Sequence, residues 1–182
     1  MVIVITLPDF FVGEAERIAD LLISGKADLV HLRKPGCTCD ALEDLIKSIP
    51  SSLYGRLVLH DHHALALKYG LYGVHLNSRN PIPPKGWTGN VSRSCHSLEE
   101  VKLWKESCNY VSLSPIFDSI SKRGYNSAFS TEEIADAFAQ GIIDSKVLAL
   151  GGVTFGRIDE VEKMGFGGGM ILGEAWLMRN EK

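Results

Sequence analysis

The chain has 182 residues, 45% of them hydrophobic, which is enough for one domain with a sizeable core and too few for two. A formal net charge of −3 leaves no basic footprint for DNA or RNA, and no stretch reaches the roughly 18 apolar residues of a membrane span. The opening "MVIVITLPDFFVGEAE" lacks the basic lead of a signal peptide. None of the four cysteines, Cys37, Cys39, Cys95 and Cys108, forms a CxxC pair, so reduced thiols in a cytoplasmic protein are expected.

In chain order, short β-rich runs alternate with segments of helical period. The runs are "VIVIT" (2–6), "DLVHLR" (28–33), "RLVLH" (56–60), "YGVHL" (72–76), "NVS" (90–92), "YVSLS" (110–114), "KVLAL" (146–150) and "GMIL" (169–172). Between them lie "EAERIADLLIS", "DALEDLIKSI", "HALALKYG", "SLEEVKLWKE", "STEEIADAFAQ" and "RIDEVEKMG". Ser97 with Glu100, and Ser130 with Glu133, carry the capping-box spacing. The proline-rich "NSRNPIPPKGWTG" between the fourth and fifth runs predicts no full helix. Eight strands alternating with helices, several apolar throughout, predict parallel βαβ units buried on both faces. Eight also suits a closed (β/α)8 TIM barrel of one domain, 1–182. Such barrels usually need about 200 residues or more, so this would be a compact one.

A parallel barrel gathers its active site at the C-terminal ends of its strands. Those ends are polar here: His31, Arg33 and Lys34; His60 and Asp61; His75, Asn77 and Asn80; Arg93, Ser94 and His96; then "SPIFDSISKRGYNS". His31 and His75 lie mid-strand and are read equally well as hydrogen-bonded packing. "HDHH" at 60–63 invites a zinc reading, but the residues are consecutive and no HxxxH helix pair accompanies them. An arginine at a barrel-strand tip tends to meet an anion, and the hydroxyls, lysine and arginine of "DSISKRGYNS" suit a multiply charged one. The seventh strand ends in Gly151-Gly152 and the eighth in Gly173, at the loops that often hold phosphate in this fold. Two anionic centres and one carboxylate, Asp61, suggest a phosphorylated acceptor meeting a magnesium pyrophosphate donor.

The ordered set "LVHLRKPG", "YGVHL", "SCHSLEE", "NYVSLSPIFDSISK", "LALGGV" and "GGMILGEA" resembles the thiamine phosphate synthase and thiazole tautomerase superfamily over almost the whole chain. The resemblance implies a cytoplasmic transferase of thiamine biosynthesis that joins hydroxymethylpyrimidine pyrophosphate to a thiazole phosphate. Its partners would be small phosphorylated substrates, with neither nucleic acid nor membrane, and a homodimer is compatible with it. By that implication Arg33 and Lys122 bind the leaving pyrophosphate, with Ser119 and Ser121 donating hydroxyls. Asp61 and Asn80 stand at the Mg²⁺ positions. His60 takes the place of a family asparagine that contacts the donor, Ser94 stands beside the pyrimidine, and Gly152 and Gly173 hold the thiazole phosphate. His31 and Lys34, at the tip of the second strand, are further candidates for substrate binding. Three positions depart from the family pattern. Pro35 takes a lysine's place, Asn80 a carboxylate's and Ser114 a glycine's. The alternatives are a thiazole tautomerase, which favours a histidine where this chain has Pro115, and a binding protein for a thiamine precursor.

Overall fold

The protein is described here by a computed structural model covering residues 1–117 and 128–177. Eight parallel strands close into a barrel in chain order. They are β1 (Val2–Ile5), β2 (Leu29–Leu32), β3 (Leu57–Leu59), β4 (Gly73–Leu76), β5 (Asn90–Cys95), β6 (Tyr110–Leu113), β7 (Val147–Leu150) and β8 (Gly169–Ile171). All eight fall on the predicted runs, and β5 extends three residues further than "NVS". Closure is made by β1 and β8, with Val2 opposite Gly169 and Val4 opposite Ile171.

The barrel fits a short chain because its connections are short. The helices are α1 (Glu14–Ile23), α2 (Cys39–Ser48), α3 (Ala64–Tyr69), α4 (Leu98–Trp104), α5 (Thr131–Ala139) and α6 (Ile158–Lys163), so α3 and α6 have only six residues each. No α-helix lies between β4 and β5, and among the described residues β8 is followed by a single 3₁₀ turn, Glu174–Trp176. The Ser130 cap forms the full reciprocal box, its hydroxyl accepting from Glu133 N–H while the Glu133 carboxylate accepts from Ser130 N–H. At Ser97 only half of the box forms, because Glu100 reaches past the cap to His96 N–H. No helix among the described residues is long and apolar enough to cross a membrane.

Period-two alternation divides each strand between two environments. Val30 and Leu32 of β2 face outward and pack with Ile18, Leu22, Leu42 and Ile46 of α1 and α2 in the main core. Each such residue contributes roughly 1.5–3 kcal/mol through removal from water. The intervening positions face the barrel axis. There Ile3, Ile5, Leu29, Val58, Leu148 and Met170 form a second apolar cluster with Tyr110. The upper layers on β2 to β6 carry instead His31, His60, His75, Ser92 and Ser112, all buried. A barrel interior that is oily on one side and polar on the other frames the mouth.

Candidate active site at the barrel mouth

The mouth opens onto a cavity of about 530 Å³ lined by Arg33, His60, His75, Arg79, Arg93 and Ser94, among others. Its floor holds two runs of hydrogen bonds. Ser94 Oγ meets His75 Nε2 at 2.8 Å, and His75 Nδ1 meets Ser92 Oγ at 2.8 Å. The second run starts at Tyr110 on the neighbouring strand, whose hydroxyl lies 2.6 Å from His31 Nε2. His31 Nδ1 then meets His60 Nε2 at 2.9 Å. Ser94 and His60, the outer ends of this circuit, line the mouth.

Burial holds all three imidazoles neutral. It pushes His31 and His60 well below the usual histidine range, with His75 adding to both and Arg33 adding at His60. His75 falls to about 3, again chiefly by burial, with His63, Arg93 and Arg33 adding to it. Candidate ligand atoms of the three histidines lie within 4.8 Å of one another, which is compact enough to suggest a metal. However, both nitrogens of His31 and His75 and Nε2 of His60 already meet each other or hydroxyls, so the cluster is satisfied as a hydrogen-bonded network. The "HDHH" residues diverge: His60 turns inward to His31, while His62 Nε2 meets the Cys37 carbonyl.

Arg33 stands at the rim with its peptide N–H donating to Thr6 Oγ1. Among the described residues its guanidinium makes no hydrogen bond and no ion pair, as expected of a group kept for an anion. Arg93 lies 4.0 Å over the ring of Trp104. Asp61 is close by, but its carboxylate is occupied. It accepts from Arg79 Nη2 at 3.2 Å through both oxygens, from Arg79 Nε at 3.4 Å, and from Asn80 Nδ2 at 2.7 Å. Asn77 sets that loop, since its Oδ1 accepts the N–H groups of Arg79 and Asn80 while its Nδ2 donates to the His60 carbonyl.

Lys34, a candidate for substrate binding, is 2% exposed and does not line this cavity. Its Nζ donates to both oxygens of Glu14, at 2.6 and 2.8 Å, and to the carbonyls of Leu7 and Asp9. A buried ammonium needs a full set of acceptors, and Lys34 finds them on the β1–α1 loop, which it ties down.

The glycine pair has a backbone reason of its own. Gly151 and Gly152 have φ of 94° and 64°, and a side chain on Gly151 would come within 2.9 Å of the Pro115 Cα. Gly173 opens the 3₁₀ turn after β8 with open space around it. Between these two ends the Glu174 carboxylate accepts from Phe155 N–H at 2.7 Å. A backbone N–H beside these loops therefore already holds an anion. Ser119, Ser121 and Lys122 lie outside the described residues.

Sequence reasoning passed over Ser112, Tyr110 and Arg79. Ser112 Oγ lines the cavity, is buried, and finds no hydrogen-bond partner among the described residues, so it is available to a ligand. Alternation in "YVSLS" places Tyr110 and Ser112 on one face of β6, which is the signal that could have found both.

A family model described as thiamine monophosphate synthase matches residues 2–172. A thiamine-phosphate synthase of Salinibacter ruber is 26% identical over 174 residues, covering 90% of this chain and 75% of that protein. Another from Rhodopirellula baltica is also 26% identical, over 83% of this chain but only 43% of its own length. In structure, the chain is similar to a thiamine phosphate pyrophosphorylase from Bacteroides thetaiotaomicron. The TM-score is 0.87 at 40% identity, covering 100% of this chain and 89% of that one.

Proposed function

The chain belongs to the thiamine monophosphate synthase family, and from that membership we propose that it is a transferase joining the methylene of a hydroxymethylpyrimidine pyrophosphate to the ring nitrogen of a thiazole phosphate. The observation that carries this reading is the mouth itself. A guanidinium unpaired among the described residues, Arg33, stands over a neutral polar floor, with the Ser94 and Ser112 hydroxyls facing the same cavity.

In this reaction the methylene–oxygen bond breaks and its electron pair leaves with pyrophosphate. The thiazole nitrogen supplies the pair for the new carbon–nitrogen bond. Charge grows on the departing oxygens, so fixed cations lower the barrier. Arg33 is placed for that role, and Lys122 is proposed to join it. The floor can hydrogen-bond the pyrimidine without adding positive charge beside a methylene that is itself becoming positive. Gly152 and Gly173 remain the proposed flank of the thiazole phosphate.

Magnesium fits this mouth poorly. Of the two positions the family resemblance assigns to it, one is an amide, Asn80, whose NH₂ faces Asp61. The other, Asp61, is already paired with a guanidinium. A hard dication favours anionic oxygens. The test is to incubate the protein with both phosphorylated precursors, with and without Mg²⁺, and to follow thiamine phosphate and pyrophosphate by chromatography. Stoichiometric release of both supports the transferase, and no product under either condition refutes it.

The histidine circuit supports a second reading, isomerisation of the thiazole. A neutral imidazole can accept a proton at one ring nitrogen while the other gives its proton to the next hydroxyl. Incubation with the thiazole precursor alone, followed by NMR, separates this reading from the first.

A further inference from the structure

The poor fit to magnesium has a counterpart in the Asp61–Arg79–Asn80 constellation. We propose that Arg79 supplies the positive charge a divalent ion would otherwise bring, so that Arg33, Arg79 and Arg93 bind the diphosphate group of the substrate without a metal. The inference rests on the transferase reading.

Three observations carry it. First, Arg79 is anchored on both sides of its side chain's base. Its peptide N–H donates to Asn77 Oδ1, and Asn77 is itself fixed to the His60 carbonyl at the end of β3. Its Nε and Nη2 are held on Asp61. Secondly, that grip leaves Nη1 with no hydrogen bond among the described residues, and the side chain is 58% exposed and lines the mouth. The Asp61 carboxylate thus orients the guanidinium by one edge and leaves another edge for ligand oxygens. Thirdly, Arg79 has company. Arg33 is unpaired among the described residues, and Arg93 lines the same cavity, stacked on Trp104 with its Nη1 donating to the Pro81 carbonyl at 3.4 Å. The carboxylate on the cavity wall, Glu100, is turned to His96 N–H at 2.6 Å.

Guanidinium forks match the planar spread of phosphoryl oxygens, and each can give two parallel N–H···O bonds. Several arginines around one cavity can therefore replace a metal's neutralisation of a diphosphate while keeping its orientation. The positions of Asn80 and Asp61 follow from the same arrangement. An amide at 80 donates to Asp61 and reinforces the carboxylate that steers Arg79. A second carboxylate there would instead compete for the guanidinium.

The experiment titrates inorganic pyrophosphate into the full chain by calorimetry, once in EDTA and once in excess Mg²⁺, for wild type, Arg79→Gln and Arg79→Lys. Wild type should bind within about threefold of equally under both conditions. Arg79→Gln should lose about tenfold or more in EDTA, and Arg79→Lys should recover only part of that, since it restores the charge but not the fork. The exposed side chain makes both variants tolerable to the fold, which far-UV circular dichroism checks. Thiamine phosphate formation is followed in parallel under the same two conditions. Pyrophosphate binding and turnover that both require Mg²⁺ in wild type would overturn the proposal and leave the transferase reading standing. Equal pyrophosphate affinity of wild type and Arg79→Gln in EDTA would remove Arg79 from the site. Absence of binding under every condition would overturn the proposal together with the donor half of the reading.

Discussion

Mild acid should unfold this protein through its barrel floor. His31, His60 and His75 are 0%, 6% and 1% exposed, and burial holds each below its ordinary pKa, His75 at about 3. The sign follows from linkage. A histidine whose folded pKa is depressed binds fewer protons folded than unfolded. Its contribution is therefore intact above the unfolded value, about 6.5, and is lost as pH falls towards the folded one. Within that window each fully shifted group costs about 1.4 kcal/mol per pH unit, so three cost about 4 kcal/mol per unit and about 6 kcal/mol by pH 5. Total stabilities of roughly 5–15 kcal/mol make that a large share. His63, also lowered by burial, acts in the same direction. Glu14 opposes it, because burial raises its carboxyl despite Lys34. The assay is urea unfolding at several pH values between 7.5 and 5, read by circular dichroism. His60→Asn keeps a polar group at the mouth but removes one proton site, so the slope below pH 6.5 should fall by about a quarter to a third, whatever the variant's absolute stability. A wild-type slope under about 1 kcal/mol per pH unit, or an unchanged slope in His60→Asn, would refute a neutral buried circuit.

Further expectations concern single side chains. Lys34→Ala strands Glu14 and should cost about 3–5 kcal/mol in urea unfolding, while pyrophosphate affinity measured by calorimetry stays near wild type; a binding loss without a stability loss would return Lys34 to the pocket. Glu174→Ala frees Phe155 N–H and should tighten binding of a thiazole phosphate several-fold, roughly the effect of one charge-assisted hydrogen bond, but not of the unphosphorylated alcohol. An equal response of the two ligands would mean that no phosphate reaches that N–H. Lys122→Ala should lower kcat by about tenfold or more with a smaller rise in the donor's KM, since its cation would matter most as pyrophosphate leaves; steady-state kinetics that show a pure KM effect would reduce it to positioning. Asn80→Asp places a second carboxylate beside Asp61 Oδ1, now 2.7 Å from the amide, and should raise Mg²⁺ affinity about tenfold. Identical midpoints in a magnesium titration of the two proteins would place Asn80 away from any ion.

The sequence by itself determined the architecture, because the signals for it are local. Runs such as "VLAL" and "LVHL", apolar enough for burial on both faces, alternate with helical periods opened by caps such as Ser130, and that order has one common closed solution. It also determined which end of the barrel is polar, since His31, the pair His60 and Asp61, and Ser94 lie in or just beyond the C-terminal halves of β2, β3 and β5. Tertiary structure alone decided what those residues do to one another. Lys34 looked like a site cation because its partner Glu14 lies 20 residues earlier and meets it only when the β1–α1 loop folds back. His31 and Tyr110 are 79 residues apart, yet they are 2.6 Å apart across the closed barrel, and the circuit they belong to has no trace in sequence spacing. Asp61 stands at a metal position in the family resemblance, and only the fold shows that Arg79, 18 residues on, donates to its carboxylate. Strand and helix formation is decided over a few residues, whereas charge and hydrogen-bond pairing acts through space, so closure of the barrel had to be known before the chemistry at its mouth could be.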